Sequence, residues 1–89
     1  MNSLVMISAP WCNACHALAD TLEQLQWDFG EEVIKYTVLD IEKNPEYVDL
    51  YQINSVPVLL FKNENGEVVE QFVGTMNAKN LLKHFGSTN

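Results

Sequence analysis

Two cysteines, separated by two residues, constrain this chain more than any other feature. Residues 4–7 form a short apolar run typical of a buried strand, and Cys12 and Cys15, the only cysteines, follow it closely. An amphipathic helical pattern begins at the same point, so the pair lies where a strand ends and a helix begins. A Cys-x-x-Cys sequence in that position, in a chain that alternates strand and helix patterns, indicates thiol–disulfide chemistry.

The predicted helix start gives the two cysteines different tasks. The first backbone N–H groups of a helix have no intrahelical partner, and the helix dipole is positive there, so a thiolate at Cys12 is favoured. Cys15 lies one turn further on the same face, where the two sulfurs can meet and bond. We therefore expect Cys12 to be the exposed nucleophile and Cys15 to resolve the mixed disulfide from below.

Composition limits the classes of partner. Five basic and twelve acidic residues give the 89-residue chain a net charge of −7, which argues against nucleic acids and anionic membranes. No apolar run is long enough to span a membrane, and the N-terminus lacks the pattern of a secretory signal. We expect a cytoplasmic monomer.

In a reducing compartment, cysteines at this spacing are catalytic or metal-binding more often than structural.

Seven segments alternate between strand-like and helix-like patterns. They are a strand at residues 3–8, a helix from residue 12 to about residue 29, a strand at 33–39, a short helix from residue 44 to about 52, strands at 56–61 and 67–73, and a helix from 77 to 86. Asn44 and Asn77 are expected to cap the two later helices. The order β-α-β-α-β-β-α predicts a single α/β domain over residues 1–89, with a parallel crossover, a hairpin and one mixed four-stranded sheet flanked by three helices.

The helical patterns also predict which side chains are buried. The apolar face of the first helix has spacings of three and four residues and consists of Cys15, Leu18, Leu22, Leu25 and Phe29. Trp27 is expected to pack at the far end of this helix, and Gly30 to end it. In the short helix, Val48 and Tyr51 are expected to share a buried face.

These motifs together make the chain similar to the thioredoxin-fold family over nearly its whole length. The matching segments are Trp11-Cys12-Asn13-Ala14-Cys15 for the W-C-x-x-C motif, residues 40–45 after the second strand, Val56-Pro57 for the cis-proline site, residues 61–68 for the hairpin, and Val73-Gly74 ahead of the last helix. The resemblance implies the thioredoxin fold in its minimal form.

The resemblance also implies a role for each matching position. Cys12 would be the nucleophile and Cys15 the resolving cysteine. Pro57 would be cis and would face the cysteines, and Val56 would pair its backbone with an extended substrate. Two further positions would serve the substrate: Gly74 would leave room for it, and Trp11 would flank the point where it enters.

The implied activity is a protein-disulfide reductase with no bound cofactor and no metal. Its partners would be protein disulfides as substrates and, as reductant, a thioredoxin reductase-like flavoenzyme or glutathione. Ribonucleotide reductase would be one enzyme that receives the electrons. Two alternatives stay open, namely a glutathione-linked glutaredoxin and a non-catalytic thioredoxin-like module that binds a partner protein.

Some positions depart from the family pattern. Met6 stands where thioredoxins place a buried carboxylate, and Val38 stands where its lysine partner is usual. The kinking proline of the first helix is replaced by Asp20. A proton that leaves Cys15 must therefore move to water or another group, and Asp40 is the nearby candidate.

The motif allows two other interpretations, and His16 has a part in one of them. Cys12 to His16 also fits covalent attachment of a c-type haem, with Met76 as a second axial ligand, and the cysteines alone fit half of a zinc site. The strand-rich second half of the chain argues against haem, and too few further ligands argue against zinc. The redox interpretation leaves His16 either as a modulator that favours the Cys12 thiolate or as a solvated helix residue.

Overall fold

The computed structural model describes residues 2–86 and contains the seven elements in the predicted order. They are β1 (Ser3–Ser8), α1 (Asn13–Phe29), β2 (Lys35–Asp40), α2 (Glu46–Tyr51), β3 (Val58–Lys62), β4 (Val68–Val73) and α3 (Ala78–Gly86). Residues 1 and 87–89, which belong to the predicted domain, lie outside the described part. Across residues 2–86, no helix combines the length and the apolar character needed to cross a membrane.

The four strands form one mixed sheet in the order β2-β1-β3-β4. β1 runs parallel to β2 and antiparallel to β3, and β3 and β4 form the antiparallel hairpin. The predicted four-stranded mixed sheet is therefore confirmed. β1 lies in the interior of the sheet, and its C-terminal end leads directly into the turn that carries Cys12.

Both faces of the sheet are covered, which explains the unbroken apolar run of β1. On one face, Leu4 and Met6 pack with residues of α1 and α3 in a single buried cluster. On the other face, Val5 and Ile7 pack with Leu60 and with residues of the α2 region. Because β1 is buried on both sides, the turn that follows it is held at a fixed place above the sheet.

Helix α1 begins and ends close to where the sequence predicts. Cys12 is its N-cap, and the helix proper starts one residue later than expected, at Asn13. Gly30 ends the helix with φ +94°, a conformation that glycine adopts without the steric cost of a Cβ. The Gly30 backbone N–H donates to the carbonyl of Gln26 at 2.8 Å, so the predicted stop at Gly30 is confirmed.

The far end of α1 differs from the prediction. Phe29 is 51% exposed and Trp27 is 86% exposed, so neither packs into the core as expected. The reason is that the chain reverses after Gly30 and brings the fully buried Ile34 into the same core cluster as Leu25. Ile34 thus fills the end of the core that the helical periodicity assigned to Phe29.

The short helix α2 also differs from its prediction. Asn44 does not cap it through its side chain, because its amide donates instead to the backbone carbonyl of Asp40 at 2.9 Å. Val48 is 38% exposed, and the rings that pack beside each other are those of Tyr47 and Tyr51, with centroids 5.6 Å apart. The predicted cap at Asn77 is confirmed, since its Oδ1 accepts from the Asn80 N–H at 2.9 Å.

Candidate active site

The two cysteines form a disulfide in the first turn of α1, with their Cα atoms 5.2 Å apart. The Cys12 sulfur accepts a hydrogen bond from the Cys15 backbone N–H at 3.1 Å. The Cys12 N–H donates to the carbonyl of Ala9 at 3.1 Å, which closes the turn between β1 and α1. The helix start therefore directs a backbone donor at the Cys12 sulfur, as expected for a site that stabilises a thiolate.

The two sulfurs differ in their access to solvent. Cys15 is fully buried, whereas Cys12 keeps 7% of its surface exposed. Cys12 is the more accessible of the two, but it is less open than the exposed nucleophile that the sequence predicts. Ala9 packs beside both cysteines, and Val56 and Ile41 pack against the same cluster, which covers most of the Cys12 side chain.

The Val56–Pro57 segment lies against the disulfide. Its peptide bond is cis, and the Val56 carbonyl oxygen is 3.9 Å from the Cys12 sulfur. Pro57 is buried, and its carbonyl accepts a hydrogen bond from the Gly74 N–H at 2.9 Å. These contacts place Val56, Pro57 and Gly74 next to one another beside Cys12.

The backbone conformation of Gly74, and not crowding by its neighbours, explains why this residue is glycine. Its φ of +113° lies in the region that favours glycine. A Cβ added at this position would meet no atom of the chain within 4 Å. The protein itself therefore leaves the space beside Gly74 open, at the end of β4 and next to Pro57.

Trp11 lies at the edge of the site, where a hydrogen bond holds its ring. Its ring is 68% exposed, and its indole N–H donates to Glu42 Oε2 at 3.0 Å. Beside it lies a mainly apolar groove of about 130 Å³, the Trp11 groove, lined by Trp11, Ile41, Val48, Ile53, Asn54, Ser55 and Val56. The groove joins the tryptophan to the segment that precedes Pro57.

His16 lies on the exposed side of the first helical turn and does not line the Trp11 groove. Its backbone N–H donates to the Cys12 carbonyl at 3.2 Å. His16 lines a separate cleft that also includes Cys15 and Asp40. The predicted site residues thus divide between two sides, with Trp11 and Val56 in the groove and His16 in the cleft.

Sequence reasoning missed two members of the site. Ile41 packs against the disulfide cluster, and Glu42 binds the indole of Trp11. Both residues lie in the segment 40–45 that resembles the family, but nothing in that segment assigns a role at the site to either of them. Among residues 2–86, no group of three or more His, Cys, Asp or Glu side chains is placed to hold a metal ion.

The comparison with protein families assigns residues 1–87 to the thioredoxin family model. A thioredoxin of Buchnera aphidicola is 42% identical over 82 residues, which cover 92% of this chain and 73% of the relative. A thioredoxin of Listeria monocytogenes is 39% identical over 66 residues, which cover 74% of this chain. The chain spans 62% of the length of the Listeria protein, slightly less than two thirds.

Solved structures show the same fold at lower identity. A malaria parasite thioredoxin-2 superimposes with a TM-score of 0.78 at 20% identity, covering 92% of this chain and 78% of that one. A thioredoxin of Fasciola hepatica superimposes with a TM-score of 0.76 at 24% identity, covering 94% of this chain and 77% of that one.

Proposed function

Because the chain belongs to the thioredoxin family, as its motifs predict, we propose that it is a protein-disulfide reductase that works by dithiol exchange. The observation that carries this proposal is the Cys12–Cys15 disulfide at the start of α1, with the Val56 carbonyl 3.9 Å from the Cys12 sulfur. The disulfide is the oxidised product of the reaction, so the enzyme must be reduced again before the next turnover.

The reaction begins with the reduced enzyme. The Cys12 thiolate, favoured by the Cys15 N–H and the helix start, attacks one sulfur of the substrate disulfide. A mixed disulfide forms, and the other substrate sulfur leaves as a thiolate. Cys15 then loses its proton and attacks the Cys12 sulfur, which releases the second substrate thiolate and forms the Cys12–Cys15 disulfide. Two electrons pass from the enzyme to the substrate.

The substrate segment would bind beside the disulfide in an extended conformation. Val56 offers backbone groups for pairing, and the open space beside Gly74 accommodates the segment. An apolar substrate side chain fits the Trp11 groove. The Glu42 carboxylate supports this role of Trp11, because it holds the exposed indole ring in one orientation.

The electron supply and the location follow from the same proposal. A thioredoxin reductase-like flavoenzyme is the proposed reductant, and ribonucleotide reductase is a proposed recipient. The five lysines are the only basic side chains, and arginine is absent, so groups for the carboxylates of glutathione are few.

We place the reaction in the cytoplasm, where a reducing environment keeps dithiols available. The net charge of −7 favours a monomer.

Replacing Gly74 with alanine tests the proposed substrate position. Gly66 in the hairpin turn is the matched control, because its φ is also positive, at +83°, and a Cβ added there would also meet nothing within 4 Å. Both substitutions are expected to lower the free energy of unfolding by about 1–2 kcal/mol through backbone strain. Only Gly74→Ala is expected to raise KM for a protein disulfide, by about tenfold, because its methyl group meets the substrate.

The measurement is the steady-state KM of both variants, together with urea unfolding of each. An equal KM in the two variants, at equal loss of stability, would show that Gly74 serves only the backbone of this chain.

A further inference from the structure

A second cleft next to the disulfide has no part in the substrate site described above. It has a volume of about 250 Å³ and is called the Cys15 cleft here. Its lining consists of Ser8, Ala9, Pro10, Cys15, His16, Ala19, Val38 and Asp40. None of these residues lines the Trp11 groove. The two openings therefore lie on different sides: Cys15 lines this cleft, whereas the Trp11 groove includes Val56, whose carbonyl oxygen is 3.9 Å from the Cys12 sulfur.

Cys15 needs a group that accepts its proton, and the core residues beside it do not provide one. As a thiol, Cys15 must lose its proton before its sulfur can attack, and it is fully buried. The paired residues Met6 and Val38, on the α1 side of β1 and β2, carry no group that accepts a proton. Cys15 is one of the residues that line the Cys15 cleft, which is open to solvent.

The titratable groups in the lining of this cleft are Cys15 itself, His16 on α1 and Asp40 at the end of β2. The turn between β1 and α1 contributes no titratable side chain to it. Glu42 and Lys43 follow Asp40 in the next turn, and both are exposed. The choice of a proton acceptor therefore lies between His16 and Asp40.

The sheet and the following turn hold Asp40 in place. Ser8 pairs with Asp40 just as Met6 pairs with Val38, and alternate residues of a strand point to the same face. The Asp40 side chain therefore points to the face on which α1 packs. One carboxylate oxygen, Oδ1, accepts from the Glu42 N–H at 2.8 Å, which fixes the group and leaves the second oxygen for water.

The cleft is large enough for water to connect the two groups. A water molecule occupies about 30 Å³ in the liquid and needs two to four polar partners. The cleft has room for several, and Ser8, His16 and Asp40 supply polar groups along its wall. Asp40 is the better placed of the two groups, because the Glu42 N–H holds its carboxylate at the cleft, whereas His16 is exposed.

We propose that Asp40 receives the proton of Cys15 through water in the Cys15 cleft. This inference rests on the proposed reductase function and concerns its second step. The Cys15 S–H bond breaks, the proton passes through water to the Asp40 carboxylate, and the Cys15 thiolate attacks the Cys12 sulfur. The bond between Cys12 and the substrate breaks, and the substrate sulfur leaves as a thiolate. Asp40 then returns the proton to solvent.

Stopped-flow reaction of the reduced protein with the disulfide dithiobis(nitrobenzoate) separates the two steps. Attack by Cys12 releases one coloured thiolate, and attack by Cys15 on the resulting mixed disulfide releases a second. The variant Asp40→Asn keeps an oxygen that accepts from the Glu42 N–H and removes the charge. We expect it to slow the second release about tenfold or more at neutral pH and to leave the first unchanged.

The pH profile distinguishes proton transfer from a structural effect. In Asp40→Asn the second release is expected to recover at higher pH, where hydroxide removes the Cys15 proton. Asp40→Glu is expected to restore much of the rate. The control Asp20→Asn removes an exposed carboxylate of α1 outside the cleft and is expected to leave both releases as in the wild type.

Two results would overturn the inference while the reductase function stands. One is a second release in Asp40→Asn that matches the wild type across the pH range. The other is a slower second release in His16→Gln than in Asp40→Asn. A wild-type protein that releases only one thiolate would instead contradict dithiol exchange, and the proposed function would fail with the inference.

Discussion

The variant Cys12→Ser is expected to lose disulfide reduction by at least about a thousandfold, since loss of a catalytic nucleophile has effects of this size or larger. A serine hydroxyl is not ionised at neutral pH, and it does not form a mixed disulfide. The helix start and the Cys15 N–H, which favour a thiolate at this position, cannot compensate. The variant Cys15→Ser is expected to complete the first attack and to accumulate the mixed disulfide between Cys12 and the substrate.

The measurement is turnover of a protein disulfide, with mass spectrometry of the covalent adduct. Ala17→Ser is the control, because it adds the same hydroxyl group to an exposed position of α1 and keeps both cysteines. It is expected to retain the wild-type rate within about twofold. A Cys12→Ser variant that still reduces the substrate would contradict the assignment of the nucleophile. A Cys12→Ser variant that binds a partner protein as tightly as the wild type would favour a binding module.

The variant Phe61→Ala is expected to lower the free energy of unfolding by about 3–5 kcal/mol, a large part of the 5–15 kcal/mol typical of small proteins. Phe61 on β3 is 1% exposed. Its ring stacks on His84 with centroids 4.1 Å apart and meets Phe85 edge to face at 6.5 Å. The substitution leaves a cavity between the sheet and α3, which the surrounding side chains fill only in part.

Phe29→Ala is the matched control for this prediction. The same side chain is removed, but Phe29 is 51% exposed at the end of α1. We expect a change of less than about 1 kcal/mol. Urea unfolding followed by circular dichroism measures both variants. Equal losses in the two would mean that the end of α1 is packed as the helical periodicity predicts.

Local signals explain why most of the fold is predictable from the sequence. Three such signals are the apolar run of β1, the turn at residues 63–66 and the helix stop at Gly30. Each of them depends only on residues that are adjacent in the chain. Their order then leaves few ways to build one sheet with a right-handed crossover. The cysteine pair is predictable for the same reason, because its position at a helix start depends on adjacent residues.

Contacts between distant segments explain the errors. The exposure of Phe29 depends on Ile34, which fills the end of the core after the chain reverses. The Asn44 amide donates to the backbone carbonyl of Asp40 instead of capping α2, and no capping pattern in the sequence indicates this. Among the site residues, Glu42 binds Trp11 from 31 positions away. A single sequence carries no signal for such a pair, because the segment around each residue does not indicate the other residue as its partner.

The most direct test of the account is the reduction potential of the Cys12–Cys15 couple, measured by equilibration against a redox buffer of glutathione or dithiothreitol. A protein-disulfide reductase is expected to show one two-electron transition at about −270 mV, the value of thioredoxin, or lower. A transition at about −200 mV or above would contradict a disulfide reductase supplied by a flavoenzyme, because such a couple oxidises thiols more readily than it reduces disulfides. The absence of any two-electron transition would contradict the redox function itself.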